Sequence, residues 1–380
     1  MESLKRLRED ENDSNSKYQK IEENNIVMVV GDLHVHPKNL NDESKLAMND
    51  IVSLAKAKKP IFIVFLGDVF DAMSVAHSSC LREVCDMIKK LKEIDNMKIY
   101  ILTGNHDRPS NKTYLTTEHA FHGINQIPNV FVAATEILVN TDIPGWNFAF
   151  APYVPPGQFR NAFLDSCKEL ESFQCIFAHQ DINGVKLSNG KKMEKGDDWN
   201  PTDPLLVNGH IHGYSHERPN FILAGACWQQ HASDGHDRKI MFMEFKPYSG
   251  QVDYRRDVHY ERVRLESLPI KKQKTFTAAE FMEFIDKNPR LDEKKELLTI
   301  EIQDTDSAIR SMYANAKFKA FRDCHRKTNI FPTIQTECIV QMDTIKNTSF
   351  LDQLQSAISQ QNSEKLEKFH SYIVEKLTSN

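Results

Sequence analysis

The stretch Ile26-Val27-Met28-Val29-Val30-Gly31-Asp32-Leu33-His34 decides how this chain is read, because five apolar residues run straight into a glycine and two metal-capable side chains. A short continuous run of branched apolar residues is the pattern of a strand buried on both faces. Four further segments repeat the scheme. Residues 61–66 lead into Gly67-Asp68-Val69-Phe70-Asp71, and residues 99–102 into Gly104-Asn105-His106-Asp107. Residues 175–178 lead into His179-Gln180, and residues 205–207 into Gly209-His210-Ile211-His212. Helical patterns at 42–58, 79–93 and 159–173 lie between them. Alternating strand and helix argues a layered α/β core, and the polar residues then gather just past the carboxyl ends of adjacent strands.

The donors gathered there are carboxylate, amide and imidazole, without the thiolates of a structural zinc site, which suits hard divalent ions acting on phosphate. Asp32 and His34 stand two apart at a strand end, so both side chains point to one side and chelate one ion. Asp68 has two oxygens with which to bridge two ions. Asn105 offers a neutral carbonyl oxygen, His179 an imidazole, and His210 and His212 again alternate onto one side. Two ions roughly 3.5–4 Å apart acidify a bridging water, which is then the nucleophile, with no covalent enzyme intermediate. His106 reads as a catalytic acid–base group rather than a ligand, its imidazole oriented and charged by Asp107. Asp71 reads as a residue that supports a ligand or shapes the turn. Each segment alone is weak, since Gly-Asp after a strand is usually a turn; the set of five carries the reading.

A length of 380 residues, 40% of them hydrophobic, allows one large domain and a smaller one. The formal charge of −5 excludes a uniformly basic nucleic-acid coat, so contact with DNA requires local patches. No apolar run has membrane-spanning length, and the start Met1-Glu2-Ser3-Leu4-Lys5-Arg6 lacks the apolar stretch of a secretion signal. Seven cysteines without CxxC spacing read as free thiols in a reducing compartment, cytoplasm or nucleus.

The domain reading is a charged, disordered arm at 1–25, a catalytic domain at 26–260, a smaller α+β domain at 261–345 and C-terminal helices at 346–380. In the smaller domain we expect strands at 262–268, 297–303 and 331–340 and helices at 278–287 and 307–322. Within 310–327 the cations Arg310, Lys317, Lys319, Arg322, Arg326 and Lys327 oppose only Asp323, a patch suited to backbone phosphates. In the tail, Leu351, Leu354 and Ile358, then Leu366, Phe369, Ile373 and Leu377, line apolar faces at helical spacing.

Over roughly residues 26–250 the motifs D-x-H, GD-x-x-D, GNHD, a lone His and GHxH resemble those of the calcineurin-like metallophosphoesterase superfamily. Three stretches are similar to the SbcD-type nucleases, the bacterial, phage and viral relatives of the meiotic recombination 11 repair nuclease. They are Leu66–Asp71, then Phe177–Gln180 with Gly196-Asp197-Asp198-Trp199, and Gly209–His212 with Leu223-Ala224-Gly225-Ala226. The resemblance implies a layered β-sandwich core flanked by helices, and two divalent ions, usually manganese. One ion would take Asp32, His34, Asp68 and His212, the other Asp68, Asn105, His179 and His210, with His106 assisting scission. It also implies that the smaller domain caps the metals and touches DNA, and that the tail binds the coiled coil of an SMC-like ABC ATPase. A homodimer is left open, and no membrane contact is implied.

Three functions compete. The first is a manganese-dependent DNA exo- or endonuclease of recombination and repair. The second is a phosphatase or small-molecule phosphodiesterase, which would use the same metal site. The third, a non-catalytic scaffold, needs a decayed site, and every ligand is present here.

Overall fold

Strand β1 (Ile26–Val30) lies inside a six-stranded sheet, paired parallel with β2 (Phe62–Phe65), which continues through β3 (Lys98–Leu102) to β4 (Val130–Ala133) at one edge. The computed structural model describes residues 25–39, 43–71, 73, 77–187, 190–247 and 253–334. Residues 1–24 of the expected arm and the two expected helical pieces of the tail lie outside the described residues.

A second six-stranded sheet takes the next six strands. These are β5 (Leu138–Asn140), β6 (Phe148–Ala151), β7 (Cys175–Ala178), β8 (Leu205–Asn208), β9 (Ser215–Arg218) and β10 (Phe221–Leu223), in the order β5-β6-β7-β8-β10-β9. The chain then returns through β11 (Ile240–Phe245) and β12 (Val258–Val263) to complete the first sheet on the far side of β1.

The two sheets face each other, which explains the continuous apolar runs. Val27 and Val29 point inward with Phe62, Val64, Tyr100 and Leu102, against Phe148, Phe150, Phe177 and Val207 of the second sheet. Met28 and Val30 point outward onto helices α1 (Glu43–Lys58) and α2 (Ser78–Lys92), through Ala47, Ile51, Val84 and Ile88. The second sheet buries its other face, with Ala149, Ile176 and Leu206, against helix α3 (Phe159–Asp165) through Phe159 and Phe163. Both faces of both sheets are therefore covered, giving four layers. Phe62 pins the layers together: it meets Tyr100 of its own sheet at 5.5 Å and Phe148 and Phe150 of the other at 5.4 and 5.7 Å, all edge to face.

Several expected boundaries shift. The helix expected over 159–173 stops at Asp165, because Cys167 adopts a left-handed φ of 55° and only a 3₁₀ turn, Leu170–Ser172, follows. The strand expected at 262–268 is instead β12, which ends at Val263 and pairs antiparallel with β11, so the first sheet takes in residues 261–263. Leu265 and Leu268 are buried, but in the first core cluster rather than in a strand.

After this link, β13 (Ile270–Phe276), β14 (Glu296–Asp304) and β15 (Asn329–Ile334) form a separate three-stranded parallel sheet. Its helices are α4 (Ala278–Lys287), α5 (Asp306–Ala314) and α6 (Ala316–Cys324). Leu298, Ile300 and Ile302 alternate onto the helical side, against Phe281, Ile285, Ile309, Met312, Phe318 and Phe321. The single helix expected over 307–322 is two, because Asn315 leaves the helical region and its side chain caps α6 by accepting from the Lys317 amide at 2.8 Å. No described helix is long and apolar enough to cross a membrane. All six described cysteines are free, with Cys80, Cys175 and Cys227 buried.

Candidate metal centre

The loops after β1, β2, β3, β7 and β8 all open at one rim of the stacked sheets, and the seven expected ligands come together there. Asp32, His34, Asp68, Asn105 and His179 are almost wholly buried, while His210 and His212 are partly open. Two groups form. Ligand atoms of Asp32, His34 and His212 lie within 4.8 Å of one another, and so do those of Asp68, His179 and His210. Asn105 joins the second group through its Oδ1, 3.0 Å from His179 Nε2 and 2.9 Å from His210 Nδ1.

Asp68 joins the two groups, by one oxygen rather than two. Its Oδ2 lies 3.6 Å from His34 Nε2 and 3.3 Å from His179 Nε2. Its Oδ1 is taken by the backbone N–H of His106, at 2.9 Å. A side chain at Gly104 would put its Cβ 2.1 Å from that oxygen, so only glycine fits there. Gly67, at φ +104°, brings the loop so close that a Cβ would lie 2.6 Å from His179 Nδ1.

The imidazoles are turned so that their free nitrogens converge. His34 donates Nδ1–H to the Asp71 carboxylate at 3.0 Å, His179 donates Nδ1–H to the Leu66 carbonyl at 2.7 Å, and His210 donates Nε2–H to the Asp181 carboxylate at 3.0 Å. This leaves His34 Nε2 only 3.2 Å from His212 Nε2, and His179 Nε2 3.3 Å from His210 Nδ1. Imidazole nitrogens at such distances share a cation, either a proton or a metal ion. Asp32 Oδ2 is buried with no hydrogen-bond partner, while its Oδ1 accepts the His210 amide at 3.0 Å. An orphaned carboxylate oxygen among converging imidazoles is what a cation site requires. The charges agree. Burial alone would lower His179, but the Asp68 and Asp32 carboxylates outweigh it and raise it to about 9. Burial alone would raise Asp68, yet His179, His34 and His106 hold it below the usual carboxylate range. The residues present fit two divalent ions.

The backbone is strained at this rim. Asp32, His34, Asp68 and His210 have φ of 22°, 45°, 49° and 71°, a region that costs a non-glycine residue about 1–2 kcal/mol. Hydrogen bonds from His34 N to Asp68 O and from His210 N to Asp32 Oδ1 hold the loops in place.

His106 stands beside the first group, its ring 5.0 Å from that of His34. Its partner is not Asp107. The His106 imidazole donates Nδ1–H to the backbone carbonyl of Asp71 at 2.6 Å. Asp107 is buried and points away, accepting the amides of Gly104 at 2.9 Å, Phe70 at 3.0 Å and Val69 at 3.4 Å. It therefore staples the loops after β2 and β3 together and does not charge the imidazole. Burial, with Asp68 nearby, pushes its carboxyl up to about 7. Asp71 instead serves both rings, one through its carboxylate and one through its carbonyl.

Two contributors escaped the sequence reading. Asp181 stands two residues after His179, and that spacing is its one signal in the sequence. Its other oxygen lies 3.4 Å from the Tyr153 hydroxyl. Arg108 is 1% exposed and ties together the carbonyls of Tyr153, Thr113 and Tyr114, a structural brace that an arginine in a loop does not advertise. Asp181→Ala should free His210 to rotate and weaken metal binding about 10–100-fold. Metal titration should show one class of site weakened, and two unchanged affinities would mean that His210 is oriented by something else.

The cations expected to contact DNA lie on the small sheet unit and are partly engaged. Lys317 pairs with Asp286 at 2.8 Å and Arg310 with Asp306 at 2.9 Å, carboxylates outside the window read from the sequence. Lys327 also has a partner. Arg322 lies over the Phe318 ring and lines a surface hollow with Arg326. Lys319 is exposed on α6. The patch is thus narrower than six cations.

Residues 26–267 match the Calcineurin-like phosphoesterase family. The chain is similar to "Putative phosphoesterase 244L" of Invertebrate iridescent virus 6, 29% identical over 180 residues, which is 47% of this chain and 62% of that protein. It is also similar to "Putative phosphoesterase 078R" of Invertebrate iridescent virus 3, 31% identical over 206 residues, which is 53% of this chain and 57% of that protein. The aligned part thus spans less than two thirds of either relative. The family match runs from β1 to just past β12, so it takes in both stacked sheets and every loop at the metal rim. This chain belongs to the calcineurin-like phosphoesterase family.

Proposed function

We propose that this protein is a two-metal phosphodiesterase that cuts DNA, a nuclease of the SbcD type that works with manganese and with an SMC-like coiled-coil ATPase. The observation that carries the chemistry is the single Asp68 oxygen facing both groups of imidazoles. Asp32, His34, Asp68 and His212 would hold one ion, and Asp68, Asn105, His179 and His210 the other. When bound, such ions supply Lewis acidity to the phosphate and lower the pKa of a water. The chain's own part is positional. Asp71 and Asp181 fix the ring orientations, and the buried rim limits the approach of bulk water. His106, held by the Asp71 carbonyl, presents its Nε2 as the acid–base group for the leaving oxygen.

DNA as the substrate is supported by the three SbcD-like stretches and by Lys319, Arg322 and Arg326 on the small sheet unit. The ATPase rests on the apolar faces within 349–377, outside the described residues. The test is a manganese-supplied assay on duplex DNA, single-stranded DNA and p-nitrophenyl mono- and diesters side by side. DNA and the diester should be cut, and the monoester only slowly. Neutralising Lys319, Arg322 and Arg326 should weaken DNA binding and flatten its salt dependence while sparing the diester, because phosphate contacts place the duplex and do not break the bond. Cleavage of the monoester alone would favour a phosphatase.

A further inference from the structure

A cleft of about 820 Å³ opens beside the metal centre, lined by His210 and His212 at one end and by Lys186, Tyr214, Arg218 and Arg238 along its walls. Its cations are not equivalent. Arg218 is committed to structure, donating to the carbonyls of Trp199 and Asn183 at 3.2 and 3.1 Å. Arg238 is not. Its side chain is only 11% exposed, its Nε is buried without a hydrogen-bond partner, and its Nη2 comes no closer than 3.8 Å to Asp234 Oδ1. Arg108 and Arg262 also bury an unbonded Nε, but their Nη atoms are anchored, to carbonyls in Arg108 and to Asp237 in Arg262. Arg238 alone of these three makes no hydrogen bond among the described residues.

Asp234 is itself occupied elsewhere. Its Oδ2 accepts the amides of Gln230 and His231 at 3.0 and 2.9 Å, which folds the loop that carries Arg238. In the same loop the Gln230 side-chain amide donates to the Asp32 carbonyl at 3.0 Å, so the loop is tied directly to a metal-ligand residue. Arg238 lines the same cleft as His210 and His212. Its Nε is buried without a partner, while its Nη donors stay open to the cleft, and the planar fork matches the oxygens of a phosphate.

We propose that Arg238 is a phosphate-binding residue, donating to the non-bridging oxygens of the phosphoryl group held at the metal centre, with Asp234 a weak placeholder while no phosphate is bound. This rests on the phosphoesterase reading of the site.

The test is calorimetric binding of inorganic phosphate to the manganese-loaded full-length protein. Arg238→Met should weaken phosphate about tenfold, as expected for the loss of charge-assisted hydrogen bonds, with metal content unchanged. Asp234→Asn should tighten it, because the competing charge is gone while an oxygen remains for the loop amides. A brace between the two side chains would make both variants weaker. Phosphate affinity within twofold of wild type in Arg238→Met, or weakening by both substitutions, overturns the assignment. Should Arg238→Met not fold, Asp234→Asn decides by sign: tighter binding supports the proposal, and equal or weaker binding refutes it. Wild-type protein that binds phosphate but hydrolyses no phosphodiester would refute the function proposed above and leave Arg238 standing.

Discussion

Asp68→Ala is expected to strip both ions from the protein and take hydrolysis to background. No neighbour replaces the lost oxygen. Asp68 Oδ2 is the atom that faces both His34 Nε2 and His179 Nε2, and Asp107, the buried carboxylate of the loop after β3, is spent on the amides of Gly104, Phe70 and Val69. The substitution also removes the acceptor of the His106 amide and leaves alanine at a φ of 49°, which it tolerates less well than Asp or Asn. Asp68→Asn is therefore the companion variant. It keeps the shape and tolerates the backbone, but lacks the charge that two cations share. Wild type should show a metal-dependent rise in melting temperature, and both variants should lose it, since ligand binding to the native state stabilises it by mass action. Metal analysis near full occupancy in either variant would remove Asp68 from its bridging place.

The strands that carry this site were legible because each is buried on both faces and ends at a glycine or histidine motif; β7 (Cys175–Ala178) falls where its apolar run does. The side chains that meet at the rim are legible through their chemistry, as a set of hard donors at strand ends. What hid was set by three-dimensional contact. Nothing in the residue types of Asp32, His34, Asp68 and His210 announces a left-handed backbone, because the loops are forced there by the packing of the rim. Adjacency in sequence pairs Asp107 with His106, but adjacency in space does not. In the fold the turn after Asn105 sends the two side chains in opposite directions, and Asp71, from the β2 loop, meets the ring instead. Charge counting by window failed for a similar reason, since Asp286 lies on a different helix from Lys317. The bounds of strand β12 are hidden because its residues, VHYERV, are half exposed and only its antiparallel partner β11 completes the pattern.

His106→Ala should do the opposite of Asp68→Ala: keep both ions and lose turnover by about 10²–10⁴, the range of a removed acid–base group. The ring packs 5.0 Å from that of His34, but its hydrogen bond goes to none of the expected ligands. It is tied to the Asp71 carbonyl through Nδ1, while His34 is held separately by the Asp71 carboxylate, so truncating one imidazole leaves the other in place. The leaving group then tells which task the ring performs. A p-nitrophenolate departs without help from a proton, whereas the alkoxide of a DNA strand needs one. If His106 protonates the leaving oxygen, the variant should lose far more on DNA than on bis-p-nitrophenyl phosphate. Equal losses on both would instead assign the ring to stabilising the phosphoryl oxygens. Loss of metal to the same extent as in Asp68→Ala would make His106 a ligand, and the division of the rim into seven ligands and one acid–base residue would fail.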